Sequence, residues 1–274
     1  MNTAEAEARP TRRLALITGA SAGLGEAFAR AYAARGLDVA LVARRAERLQ
    51  ALASELTAQH GIEALVIPAD LAEWEAHVPV IDAVEAAGRQ VDVLVNNAGF
   101  GIPQSFLGVP WTRQRDFLMT MAVNACGLAY DVLPGMAARR WGRIVNIASL
   151  AAFSPGVAGN SLYPGVKSLM IKFSQSLDAE HRAAGVKVTA VCPGFTKTEF
   201  AKEAGIQEIM DRERRALFQT PEQVVAETIR ANERGRVVLV PGWHNKAAAA
   251  LLKGLPEPLV RRIIAAGSAK YRLD

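Results

Sequence analysis

Seven short apolar runs punctuate the chain, at Leu14–Thr18, Val39–Ala43, Ala64–Ile67, Val91–Val95, Arg143–Ala148, Lys187–Val191 and Arg236–Val240. Each is continuously apolar rather than alternating, the pattern of parallel strands covered on both faces. Between them lie segments of helical composition, at 24–35, 45–59, 73–87, 112–140, 163–184 and 221–234. Gly36, Gly61, Gly88, Gly142, Gly185 and Gly235 each stand shortly before the next strand, where a helix C-terminus favours a left-handed residue. This regular alternation predicts an α/β fold, a doubly wound and mostly parallel seven-stranded sheet with helices on both faces. With no internal repeat and no Pro/Gly/Ser linker, residues 14–243 read as one domain, preceded by an arm at 1–13 and followed by a tail at 244–274.

Composition narrows the class. Half of the 274 residues are hydrophobic, enough for a large core, and the net charge of +5 is modest. The arginines gather near 44–48, 212–215 and 261–262 without interleaved aromatics, so no nucleic-acid partner is expected. Cys126 and Cys192 form no framework and fit a reducing, cytoplasmic compartment. Met1–Arg13 is polar, with two acidic residues and a proline, and reads as a flexible arm rather than a signal peptide. No run of 18 apolar residues occurs, so no membrane span is expected. His60, His77, His181 and His244 lack metal-ligand spacing, and no metal is expected. Trp111, Phe117, Met119 and Met121 read as core or interface packing.

Chemistry enters at two places. The first strand runs straight into Thr18-Gly19-Ala20-Ser21-Ala22-Gly23-Leu24-Gly25, followed by an alanine-rich helix. Glycines there let the backbone approach a pyrophosphate, and the helix N-terminus offers free N–H groups and a positive dipole end. Far downstream, Tyr163 and Lys167 stand four residues apart, on one face of a helix. An ammonium beside a phenol favours the phenolate, so the tyrosine is expected to exchange protons below its usual pKa of about 10. A dinucleotide turn with an acid–base tyrosine suggests hydride transfer.

The glycine spacing, Gly-x-x-x-Gly-x-Gly after Thr18, resembles the short-chain dehydrogenase/reductase family, and the likeness runs from about Leu14 to Trp243. Asp70-Leu71 follows the third strand, Asn96-Asn97-Ala98-Gly99 ends the fourth, and Asn124 lies in the long helix after it. Ser149 ends the fifth strand, Tyr163 and Lys167 match Tyr-x-x-x-Lys, and Pro193-Gly194 ends the sixth, with Thr196 and Thr198 following. The resemblance implies a Rossmann-type domain binding a dinucleotide through Gly19, Ser21, Ala22, Gly23, Leu24, Gly25, Asp70, Leu71, Asn96, Asn97, Ala98, Gly99, Tyr163, Lys167, Pro193, Gly194, Thr196 and Thr198. It implies Tyr163 as general acid or base, Lys167 holding the nicotinamide ribose and lowering the tyrosine pKa, Ser149 bonding the reacting oxygen, and Asn124 fixing a water beside Lys167. The substrate implied is a small-molecule carbonyl compound or secondary alcohol, and the assembly a homodimer or homotetramer built through the helices carrying Asn124 and Tyr163.

Two departures stand out. Ser149 precedes Tyr163 by 14 residues, one more than is usual in the family, and the loop-like Ser154–Asn160 can absorb the insertion. Pro164 follows the tyrosine directly and is expected in the first turn, where a missing N–H costs nothing. The second strand ends Ala43-Arg44-Arg45 rather than in the carboxylate that binds a ribose 2′-hydroxyl, so NADP is expected over NAD, with Arg44 on the 2′-phosphate and Arg45 at the rim. Residues 199–220 read as a charged flap over the substrate, and the basic, apolar tail as two short helices. Packing of the tail beside that flap is favoured over contact with a membrane surface. Two rivals are a non-catalytic nucleotide-binding regulator, which would need none of Ser149, Tyr163 and Lys167, and an epimerase-type relative, which has another glycine spacing and a larger C-terminal region.

Overall fold

A computed structural model describes residues 12–156, 158–159, 161–199 and 218–268. Seven strands form one all-parallel sheet: β1 (Leu14–Thr18), β2 (Asp38–Ala43), β3 (Ala64–Pro68), β4 (Val91–Asn96), β5 (Gly142–Ile147), β6 (Val186–Val191) and β7 (Val238–Leu239). Their order across the sheet is β3-β2-β1-β4-β5-β6-β7. The chain winds outward from β1 to β3, then crosses to β4 and winds the other way. The reversal lies between β1 and β4, where an open α/β sheet leaves a crevice beyond its strand ends.

The continuously apolar strands divide their side chains between two cores. Ala15, Ile17, Val39, Leu41, Val93 and Val95 pack under α1 (Gly23–Ala33), α2 (Ala46–His60) and α7 (Pro221–Glu233), around Phe28, Leu49, Leu56 and Ile229. Leu14, Leu16, Ala40, Val42, Leu94 and Ile144 face α3 (His77–Ala86), α5 (Asn124–Ala138) and α6 (Tyr163–His181), around Val80, Leu128, Met136 and Leu177. Alternate residues of one strand thus serve opposite layers. Gly36, Gly61, Gly88, Gly185 and Gly235 take positive φ as expected. Gly142 does not: Arg140, at φ 53°, makes that left-handed turn, and Gly142 instead opens β5, where a Cβ would strike Met136 at 2.5 Å.

Three other expectations shift. The segment 73–76 is not helical, because the Asn124 side chain holds the carbonyls of Leu71 and Glu73 (2.9 Å each) and α3 starts only at His77. The long helix is α4 (Trp111–Leu118), a π turn (Met119–Val123) and α5, with the Asn124 N–H donating to Met119 O five residues back. By length and mean hydropathy the 28 residues Trp111–Ala138 could cross a membrane, but half of their apolar window is buried inside the protein. The tail is α8 (Trp243–Gly254) and α9 (Glu257–Ser268), two helices with a break at Leu255-Pro256. Ala249 and Val260 are buried, yet Leu251 and Leu259 remain 57% and 46% exposed, so the tail covers less of its apolar surface than its composition predicts. Residues 200–217 of the expected flap, and Lys270 and Arg272 of the tail, lie outside the described residues.

Candidate active site

The glycine turn is locked from below. Thr18 Oγ1 donates to Val95 O (3.2 Å) and accepts from the N–H groups of Asn97 (2.9 Å) and Ala98 (3.0 Å), while Asn97 Nδ2 donates to Thr18 O (2.9 Å). These bonds tie the end of β1 to the Asn96-Asn97-Ala98-Gly99 segment that ends β4. Gly19 and Gly23 have φ of +66° and +58°, the left-handed region that glycine enters freely. A Cβ on Gly25 would lie 2.1 Å from Gly19 O, and one on Gly99 2.8 Å from Met121 Sδ. Ala22 caps α1 in extended conformation without a side-chain bond, between the two left-handed glycines. A glycine-lined cradle at the helix N-terminus fits a dinucleotide pyrophosphate.

The edge beyond β2 carries positive charge. Arg44 is exposed and stands 4.0 Å from Asp70, whose carboxylate accepts the Ala72 N–H just after Leu71. Arg45 lies closer to the turn than a rim residue would: its Nε and Nη2 donate to Ser21 Oγ at 3.1 and 2.9 Å. Arg45 also meets Glu199 at 3.3 Å, and Arg48, one turn along α2, holds the same carboxylate at 2.9 Å. Arg48 carries no signal in the sequence beyond its place on the helix, and Glu199 is 151 positions away.

Ser149 and α6 assemble the chemical centre. The Ser149 Oγ accepts the Ala151 N–H (3.1 Å) at the start of a single 3₁₀ turn, leaving its own proton for the Tyr163 phenol, to which it is hydrogen-bonded. Tyr163 opens α6, with Pro164 in the first turn as expected. Lys167, one turn on, is buried, and its Nζ donates to Ile147 O (2.7 Å) while standing 5.6 Å from the centre of the Tyr163 ring. Burial pushes the Tyr163 phenol above its ordinary value, and only the Ser149 bond opposes it. The expectation of a tyrosine lowered by Lys167 is therefore corrected: desolvation outweighs an ammonium that donates to the Ile147 carbonyl. The same desolvation lowers Lys167 to about 8.

Asn124 is fully buried, and its side chain is committed to Leu71, Glu73 and the His77 N–H rather than to the neighbourhood of Lys167. It braces α5 against the segment after β3. Two buried amides near the site do cross the sheet: Asn96, donating to Asn146 Oδ1 (2.9 Å), and Asn146, donating to Ser174 Oγ (2.9 Å) on α6. Pro193 O accepts the Leu150 N–H (3.0 Å) beside Ser149, and Gly194 admits Asn245 of α8, whose Oδ1 lies 2.3 Å from where a Cβ would be. Thr196 pairs with Gln219 as a bridge, and the Thr198 side chain rests on Gly23. In front of Tyr163 is a pocket lined by Ile102, Gln104, Gln114, Phe117, Ser161 and Leu162. Phe117, expected only as packing, tilts against the tyrosine ring with centroids 6.3 Å apart.

The short-chain dehydrogenase family model matches residues 13–209. The chain belongs to that family of oxidoreductases. It is 37% identical over 194 residues to a very-long-chain 3-oxoacyl-CoA reductase of Anas platyrhynchos, a match covering 69% of this chain and 61% of that one. It is 36% identical over 202 residues to serine 3-dehydrogenase of Agrobacterium fabrum, covering 72% and 78%. A short-chain dehydrogenase from Sphingobium yanoikuyae, solved in complex with NADPH, superposes with a TM-score of 0.77 at 29% identity, covering 89% of this chain and 97% of that one.

Proposed function

We propose that the protein interconverts a small carbonyl compound and its secondary alcohol with NADP(H), Tyr163 acting as the general acid or base. The observation that carries this is the meeting of Ser149, Tyr163 and Lys167 at the end of β5, in a family whose glycine turn is here intact. The nicotinamide cofactor, when bound, supplies or accepts the hydride. In the reductive direction the Tyr163 hydroxyl gives its proton to the carbonyl oxygen, and the Ser149 hydroxyl donates a hydrogen bond to the same oxygen as charge develops. Lys167, still protonated below about pH 8, offers its remaining N–H groups to a ribose and stabilises the phenolate as the proton leaves. Polar Gln104 and Ser161 beside apolar Ile102, Phe117 and Leu162 suit a substrate with both kinds of surface. The relatives' acyl-CoA and serine substrates differ too widely to choose one for this chain.

The 2′-phosphate preference rests on Arg44 and Arg45 at the end of β2, and the NADPH bound to the Sphingobium relative supports it. Self-association through α5 and α6 is proposed with it, because Val123, Tyr130 and Leu169 leave exposed apolar surface on those two helices and the turn between α4 and α5. Screening with NADPH against carbonyl compounds, including acyl chains, steroids and sugars, tests the reaction. Tyr163→Phe should then leave less than a few per cent of the rate with cofactor binding nearly intact; a higher residual rate rules out this acid. Arg44→Ala should weaken NADPH by about 10- to 150-fold, the span of one charge-assisted contact, and NADH far less. Equal losses would count against the assignment of Arg44.

A further inference from the structure

Two adjacent residues of the segment after β6 lie over the places where a phosphate-bearing dinucleotide would be held. Thr198 rests on the glycine turn, its Cβ 3.1 Å from where a Gly23 side chain would begin. Glu199 sits between two guanidiniums. Arg48 Nη1 donates to both of its oxygens (3.1 and 2.9 Å), and Arg45 Nη1 reaches one of them at 3.3 Å. The other edge of Arg45 is pinned by two bonds to Ser21 Oγ, so this anion site adjoins the glycine turn itself. A single carboxylate gripped by two arginines is chemically what a phosphate monoester would be there, with fewer oxygens and less charge.

We propose that Glu199 is an internal stand-in for the cofactor 2′-phosphate, that Arg48 is a further specificity-determining residue of that site, and that the phosphate displaces Glu199 on binding. The inference rests on the NADP reading above and deepens it. Two arginines against one carboxylate leave an excess positive charge, whereas a 2′-phosphate of nearly two negative charges balances both. The three side chains are 38%, 51% and 41% exposed, so the internal pair is screened and weak, and an incoming anion can reach it. Because Thr198 and Glu199 are consecutive, removing Glu199 from the arginines frees the same stretch of chain that lies against Gly23. NADH, lacking the phosphate, has nothing to exchange for Glu199 and binds with the clasp still closed.

Fluorescence titration of the full-length protein with NADPH and with NADH, repeated with 2′,5′-ADP and 5′-AMP as competitors, tests this. Glu199→Gln should tighten NADPH and 2′,5′-ADP by about 2- to 5-fold, the worth of an exposed ion pair, while NADH and 5′-AMP stay unchanged. Arg48→Gln should weaken NADPH by about tenfold or more without affecting NADH. In the Arg48→Gln background the gain from Glu199→Gln should shrink. Thermal melts show that each variant is folded. Weaker NADPH binding by Glu199→Gln would make Glu199 a support for the arginines, and an equal change for both cofactors would make it a general clasp. No change for either would make it a surface pair only; each of these overturns the proposal. A wild-type protein that binds NADH more tightly than NADPH instead removes the NADP reading beneath it.

Discussion

The glycine turn and the two C-terminal helices are held in opposite ways. The turn is fixed by backbone and by what cannot fit: three bonds to Thr18 Oγ1, one from Asn97, and no space for a Cβ at Gly25. The tail is fixed by a few side chains. Asn245 is wedged under Gly194 and donates to Gln219 (3.0 Å) and Pro241 (2.9 Å), Lys253 lies over the Phe153 ring, and Ala249 and Val260 are buried while their neighbours face water. A site defined by steric exclusion tolerates almost no change, whereas one defined by a handful of contacts can vary with its substrate. That division fits the proposed function, in which the turn holds the cofactor and the tail borders the substrate.

The contrast breaks most sharply at Gly25. Gly25→Ala places a methyl 2.1 Å from the backbone oxygen of Gly19, an obstruction that rotamer changes cannot relieve. Cofactor affinity should fall beyond detection by titration, and the fold should lose about 1–3 kcal/mol or more, the usual cost of overpacking. Near-normal binding would mean that the turn is looser than its hydrogen bonds imply.

The next effect concerns charge. Lys167 has a native pKa near 8 against an ordinary 10.5, so between those values the unfolded chain holds a proton that the native one does not. Stability then rises with pH through that window, and the burial cost is fully present below pH 8. Lys167→Met removes the titration, so wild type should gain stability relative to the variant in urea unfolding from pH 8 to pH 10. A difference that stays flat over that range would show that Lys167 keeps a near-ordinary pKa.

The tail gives the smaller effects. Asn245→Ala should destabilise by about 1–3 kcal/mol, because it strands Gln219 Oε1 and Pro241 O in a buried place, and should raise KM. Leu251→Ser, on the exposed side of α8, should change stability by less than about 0.5 kcal/mol. If Leu251→Ser instead proved as costly as Asn245→Ala, that surface would be covered in solution by something else, a second copy of the chain or a lipid surface.

Much of the fold was legible from pattern alone. All seven strands and the helices between them follow from apolar runs and glycine punctuation, since a strand covered on both faces has no polar side to show. Of the proposed site, the glycine turn, Tyr163 and Lys167 were readable for the same reason: their constraints act within eight residues or one helical turn. The bend before α3 was not, because it depends on Asn124 reaching across from another helix.

What the chain determined by itself, then, was everything set by short-range geometry: strand, turn, helix, and the order in which they recur. Tertiary structure decided what each side chain pays attention to. It set Asn124 on three backbone groups, brought Glu199 between Arg45 and Arg48, and left Leu251 in water. It also turned the tyrosine's pKa upward, because desolvation is summed over every atom that the fold packs around a group, and no spacing along the chain records that sum.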